Sequence, residues 1–189
     1  FQDEDPAPHM KLSRRDMNRA MSEICDRYGL QYWVWTPADF DLSDEAKRSA
    51  SLARHEELYR DCPRLDAVFF PGGDPGDNPT ELVMPFLEDI ARRLEKHHPD
   101  AKVWMSLQGF DDPDVDAFYE WIEAKRPDWF GGVVAGPSSP PIPETRSRLS
   151  RRYGLRHYPD ITHNVRAQYP VPWIDPAFAF TLGREGINP

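Results

Sequence analysis

The sequence predicts an α/β protein of the parallel (β/α) barrel, TIM-type class, read as an incomplete barrel or a portion of a longer chain. Three observations carry this expectation. Short apolar runs rich in β-branched and aromatic residues recur at 31–35 (QYWVW), 65–70 (LDAVFF), 102–107 (KVWMSL) and 130–135 (FGGVVA). Segments with helical apolar spacing separate them, and strands alternating with helices imply a parallel sheet with right-handed crossovers. The runs are continuously apolar, as in a sheet covered on both faces or closed on itself.

Each element has its own local signal. Residues 1–12 are acidic and proline-punctuated and read as loop. Ser13 is a plausible N-cap for a helix over 13–28, with Asp16 at the reciprocal position of a capping box and Gly29 as its stop. Met17, Met21, Ile24, Cys25 and Tyr28 recur on one side of it. The strand at 31–35 follows, and Ser43 is expected to cap a helix running to about residue 60. After the strand at 65–70 comes the rigid, glycine-rich loop Pro71–Asn78 (PGGDPGDN). Asn78 is expected as N-cap, Pro79 as first helical residue and Glu81 at the box position. Pro85 should bend the following helix or delay its start. The strand at 102–107 leads to a helix over 115–125 and the strand at 130–135 to a short polar helix over 144–153. A weak fifth strand is expected at 155–158.

A complete barrel takes roughly 250 residues, whereas this chain has 189. Together with Phe1 as the first residue, that reads as a chain truncated, processed or beginning within a domain. Residues 1–189 are expected to form a single (β/α) barrel-type domain, with 1–12 and 159–189 as loop-rich ends. The net charge of −9 argues against nucleic acid as the main partner, because a phosphate backbone calls for a basic stripe. The local cluster Arg146, Arg148, Arg151 and Arg152 reads as a solvated helix face. No apolar run reaches the roughly 18 residues of a membrane span. Cys25 and Cys62 form no C-x-x-C pair and read as two buried thiols, which leaves the compartment open.

In parallel βα folds the residues just after each strand converge on one rim. Here they are Trp35, Thr36 and Asp39; then Gly72, Gly73, Asp74, Asp77 and Asn78; then Gln108, Asp111 and Asp112; then Gly136, Pro137, Ser138 and Ser139. The fifth exit supplies His157, Tyr158, Asp160, Thr162, His163 and Asn164. Carboxylates and amides suit sugar hydroxyls, and aromatic faces suit the apolar side of a sugar ring. Glycosidic cleavage needs a protonated carboxylic acid at the leaving oxygen and a second group to stabilise an oxocarbenium-like transition state. Asp74 and Asp77 fit those two roles, since neighbouring carboxylates raise one another's proton affinity. Trp35, Gln108, Tyr158, Asp160, His163 and Asn164 are the expected substrate contacts, and Trp33 and Trp35 are expected to divide between helix packing and the barrel mouth. Structural roles stand beside each: aspartates in a glycine-rich loop are turn formers, Asp77 is a natural cap, and Tyr158–Asp160 is also a proline-shaped turn.

The order of these exits resembles the catalytic barrel of glycoside hydrolase family 84, and more loosely family 20. The stretches that carry the resemblance are Gly72–Asn78, Ser106–Phe110 (SLQGF), Ala135–Pro137 (AGP) and His157–Asp160 (HYPD). It implies a glycosidase acting on N-acetylhexosamine-type substrates, a carbohydrate or glycoconjugate partner and no cofactor. On that alignment the strands here would be the third to seventh of a full barrel. The family's acids are adjacent, whereas Pro75 and Gly76 separate Asp74 from Asp77, so the resemblance leaves the substrate-assisted mechanism open. Two further readings remain. One is a metal-dependent hydrolase using Asp74, Asp77, His157, Asp160 and His163, although no H-x-H or H-E-x-x-H spacing is present. The other is a non-catalytic carbohydrate-binding barrel.

Overall fold

A computed structural model describes residues 11–136 and 139–157. The elements are α1 (Arg14–Tyr28), β1 (Trp33–Trp35), α2 (Glu45–Asp61), β2 (Ala67–Phe70), α3 (Thr80–His97), β3 (Lys102–Met105), α4 (Asp112–Lys125), β4 (Phe130–Ala135), α5 (Ile142–Arg148) and β5 (Gly154–His157). The five strands are parallel and lie side by side in chain order, β1-β2-β3-β4-β5. A right-handed crossover between adjacent parallel strands drops its helix on a fixed side of the sheet. Repeating the same step places α2 to α5 on one face, the arrangement of a partial barrel of TIM type.

That helix-covered face holds the core. Val68 and Phe70 of β2 and Val103 and Met105 of β3 point into it, together with Val83, Phe86, Leu87, Ile90 and Leu94 of α3 and Phe118 of α4, all at 1% exposure or less. Side chains alternate along a strand, so Trp33 and Trp35 share the opposite face. The expectation that they divide between helix packing and the mouth is corrected by this simple parity. Register puts Trp35 beside Phe69 and Phe69 beside Trp104. Trp33 meets Trp104 across Ala67, ring centroids 5.1 Å apart. The Arg156 guanidinium lies 4.7 Å from the Trp33 ring centre and 5.0 Å from that of Trp104. No helix of the described residues covers this face, which is the one a closed barrel turns inward.

Space for Trp104 comes from missing side chains. A Cβ on Gly154 would sit 2.5 Å from the Trp104 ring, and one on Gly131 would also strike its indole. Gly132 has φ 148°, and a Cβ there would be driven into the Gly154 backbone of the neighbouring strand.

Capping explains most boundaries. Ser13 accepts the Asp16 N–H at 3.1 Å while its hydroxyl donates to the Asp16 carboxylate at 2.8 Å. Gly29 closes α1 at φ 65°. The cap of α2 is Asp44, not Ser43: Asp44 Oδ1 accepts from Ala46 and Lys47, whereas Ser43 is held by Asp41. The N-cap of α3 is Pro79, not Asn78, whose side chain is used elsewhere, and the first helical residue is Thr80 rather than Pro79. The first N–H of α3, on Thr80, donates to the Asp114 carboxylate at 2.7 Å, and the helix runs through Pro85. The last helix starts and ends earlier than expected, because Pro143 suits its first turn.

Two core expectations are revised. The apolar stripe of α1 is largely exposed, with Met21 at 47%, Ile24 at 50% and Tyr28 at 70%. The helix instead docks through polar groups: the Ser22 hydroxyl donates to Arg64 O at 2.6 Å, and Arg15 pairs with Glu57 and Asp61. Both cysteines are free thiols, Cys62 buried and Cys25 half-buried. The arginine cluster near α5 is not purely a solvated face, since Arg148 lies over the Tyr119 ring at 4.2 Å and pairs with Asp116. No helix among the described residues is long and apolar enough to cross a membrane.

Gly132→Ala should cost about 3 kcal/mol from backbone strain and strand displacement. That corresponds to a fall in Tm of about 6–12 °C, read by calorimetry, and an unchanged Tm would mean that β5 yields freely. Acid sensitivity offers a second check. His55 on α2 is 4% exposed and stacked on Tyr59. Burial above all pushes its pKa from the ordinary 6.5 down to about 3. The unfolded chain therefore binds the extra proton between those values, so this contribution is present above pH 6.5 and is lost as pH falls towards 3. Between pH 6.5 and pH 5 the loss is about 2 kcal/mol. In urea titrations at the two pH values, His55→Leu should lack that increment. Equal acid sensitivity in both proteins would place the titration elsewhere.

Candidate functional site

The rim at the C-terminal ends of the strands is assembled by backbone contact between successive exits. Gly72 and Gly73 let the β2 exit press against the β3 exit: a Cβ on Gly72 would lie 2.5 Å from Ser106 O and 2.7 Å from Gln108 O. The Gly73 N–H donates to Gln108 O at 2.9 Å. Only residues without side chains permit that approach, and it fixes where Asp74 stands. The Asp74 carboxylate is exposed and accepts the Gln108 side-chain amide N–H at 2.7 Å. The Asp74–Pro75 peptide bond is cis. Thus two expected site residues from different strand exits are joined by one hydrogen bond.

The β4 exit joins the same rim. Ser106 Oγ lies 3.1 Å from Ser139 Oγ and accepts the Gln108 N–H at 3.1 Å. Ser139 Oγ in turn accepts the Gly136 N–H at 3.2 Å. A hydroxyl pair therefore runs from the third to the fourth exit, next to the Asp74–Gln108 pair. Trp35 ends β1 with 53% of its surface exposed, while Thr36 beyond it is fully buried and donates its N–H to Phe69 O at 2.7 Å.

Other acids near the rim sit in a turn or cap a helix. Asp77 adopts φ 47°, a turn conformation, and its N–H donates to Gly73 O at 2.8 Å. Its side chain is exposed. Asp111 caps α4 by accepting the Asp114 N–H, and Asp114 caps α3 from outside that helix. Asn78 is 4% exposed and ties two exits together: Oδ1 accepts the Leu42 N–H at 2.8 Å, and Nδ2 donates to Phe40 O at 2.9 Å and to Ala38 O at 3.5 Å. Sequence reasoning placed Asn78 as a cap because N-P at a helix start is a strong local signal. Its long-range partners have no local signature.

Tyr158, Asp160, His163 and Asn164 lie outside the described residues, as does the side chain of His157, so their relation to Asp74 is not part of this geometry. Among the described residues no group of three His, Cys, Asp or Glu side chains is placed to hold a metal ion. Three of the five ligands of the metal-dependent reading fall outside that set.

No family profile and no curated protein matches the chain. Among solved structures it is similar to a variant of NCR from Zymomonas mobilis, with a TM-score of 0.52 and 14% sequence identity over 84% of this chain. The chain spans 59% of that protein's length. A likeness at this identity shows the fold alone, and it supports the (β/α) barrel class read from the strand order.

Asn78→Ala should cost about 2–4 kcal/mol, because it strands the Leu42 N–H and the Phe40 carbonyl in a dry site. Denaturant titration checks the value. A cost below about 0.5 kcal/mol would show that water replaces the amide and that the two loops are not fastened there.

Proposed function

We propose that this chain is part of a carbohydrate-active barrel of glycoside hydrolase type, acting on aryl- or saccharide-linked glycosides, N-acetylhexosaminides among them. Asp74 is the acid in this reading, and Gln108 orients its carboxyl group. The observation that carries it is the Asp74–Gln108 hydrogen bond, set on a glycine bed at the strand-end rim. A carboxyl group held at the strand-end rim is one of the two that a glycosidase requires. The exposed indole of Trp35 adds an apolar surface on which a sugar face can rest. The Ser106 and Ser139 hydroxyls and the Gln108 amide supply hydrogen-bonding partners for sugar hydroxyls.

Asp77 is the second carboxylate of the proposal. Its turn conformation and its bond to Gly73 O are specific observations favouring the non-catalytic variant of the same reading, in which the rim binds a saccharide without cleaving it.

Asp74→Asn should lower turnover of aryl N-acetylhexosaminides by about 10²–10⁴-fold, the usual worth of a positioned general acid. Circular dichroism and Tm should stay unchanged. Full activity in that variant would reduce Asp74 to a turn residue. Trp35→Ala should weaken saccharide binding by about tenfold, equivalent to roughly 1.4 kcal/mol. If the parent protein binds saccharides and hydrolyses none, the non-catalytic variant stands; if it binds none, the carbohydrate reading is lost.

A further inference from the structure

A second concave surface lies between the β1–α2 loop and one face of α2. Lys47, Ala50, Ser51, Arg54 and His55 follow one another at helical spacing along a single face of α2. Pro37, Asp39 and Phe40 of the β1–α2 loop face them. Together they enclose a cleft of about 450 Å³, within the range of small-molecule sites. We propose that this cleft binds a small oxyanion, of the phosphate or carboxylate kind, with Lys47 and Arg54 as its cationic clamp and Ser51 and His55 as its floor.

The walls are preformed. Phe40 stands edge-on to Phe86, ring centroids 6.5 Å apart, and its carbonyl is held by Asn78. Ala38, beside the cleft wall, is fully buried. The loop therefore keeps its shape without a ligand, so little ordering entropy is lost on binding.

The charge of the lining runs against that of the chain. The protein carries a net −9, yet the cleft presents Lys47 and Arg54 against the single carboxylate of Asp39. Lys47 has a partner in Asp44 at 3.4 Å, an exposed pair that solvent screens. Arg54 is close enough to His55 to help depress its proton affinity. The floor is polar and dry, with Ser51 and His55 each 4% exposed. A hydroxyl and a neutral imidazole below two cations suit an oxyanion, because both can donate to it while the cations balance its charge. Phe40, Pro37 and Ala50 leave room beside that anion for an apolar body. The proposal is independent of the glycosidase reading.

The test uses the full chain and four probes: inorganic phosphate, phenyl phosphate, benzoate and uncharged benzyl alcohol. Calorimetric titration should show binding of phenyl phosphate or benzoate, weakened by about tenfold or more in a Lys47→Gln/Arg54→Gln variant. Both side chains are exposed, so the variant is expected to fold, and its Tm checks this. NMR of the imidazole should show the His55 pKa moving up when the ligand is bound. Binding of inorganic phosphate alone to the same strength would identify the free ion as the ligand; tighter binding of the aryl anions would identify an organic one. The proposal fails if no anion binds at millimolar concentration, if benzyl alcohol binds equally well, or if the double variant binds as the parent does.

Discussion

The constraint on which this structure rests is the handedness of its crossovers. Five parallel strands laid down in chain order leave no choice of side for the intervening helices. All the helix-facing burial is therefore spent on one face, through Val68, Phe70, Val103 and Met105. The same step points each strand's C-terminal tip to a common rim. Asp74, Gln108 and Ser139 are 34 and 31 residues apart in sequence, yet they become neighbours through Gln108 and Ser106 for this reason alone. The other sheet face is left to Trp33, Phe69, Trp104 and Arg156, whose cation–ring stacking organises large side chains with no helix above them among the described residues.

Those aromatic groups impose a demand on their neighbours. An indole as large as that of Trp104 can lie flat on the sheet only where the adjacent strands carry no Cβ, and Gly131 and Gly154 meet that demand. Gly132 then brings β4 and β5 together closely enough for the ladder from Gly132–Gly154 to Ala135–His157 to form. In the sequence, Gly131 and Gly132 weaken the strand at 130–135 by ordinary propensity. In the fold they are what allows that strand to sit between Trp104 and β5.

How much the sequence disclosed depends on how local each cause is. The strand at 130–135 and the first helix were readable to within a residue, because apolar runs, Ser13, Asp16 and Gly29 act over a turn or less. Ser43 and Asn78 are not the caps, for two different reasons. Asp41 holds Ser43 within its own turn, and Asp44, one residue further on, takes the cap. Asn78 is committed to Leu42, Phe40 and Ala38, partners 36 to 40 residues away. The polar identity of the rim was readable too, since strand exits can be counted. The pairing of Asp74 with Gln108 needed the glycine contact between two loops, and the cleft on α2 needed a helix face and a loop to be brought opposite each other.

Asn78 shows why the rim and the outer cleft belong to one mechanical unit. Its side chain fixes the β1–α2 loop at Ala38, Phe40 and Leu42, and its backbone ends the loop that carries Asp74. The Gly72–Asn78 loop has little apolar surface with which to hold itself, offering one proline and its glycines around the two acids. An amide that donates and accepts in a dry site is a stiff fastener, because both of its halves lose their partners together when it slips. Gly76 enforces the same closeness, since a Cβ there would run into Ala38 O. The position of Asp74 is thus set from two sides, by Gln108 across the β3 exit and by Asn78 across the β1 exit. A carboxyl group so placed is oriented before any ligand arrives, and that preorganisation is the property that chemistry at this rim would require.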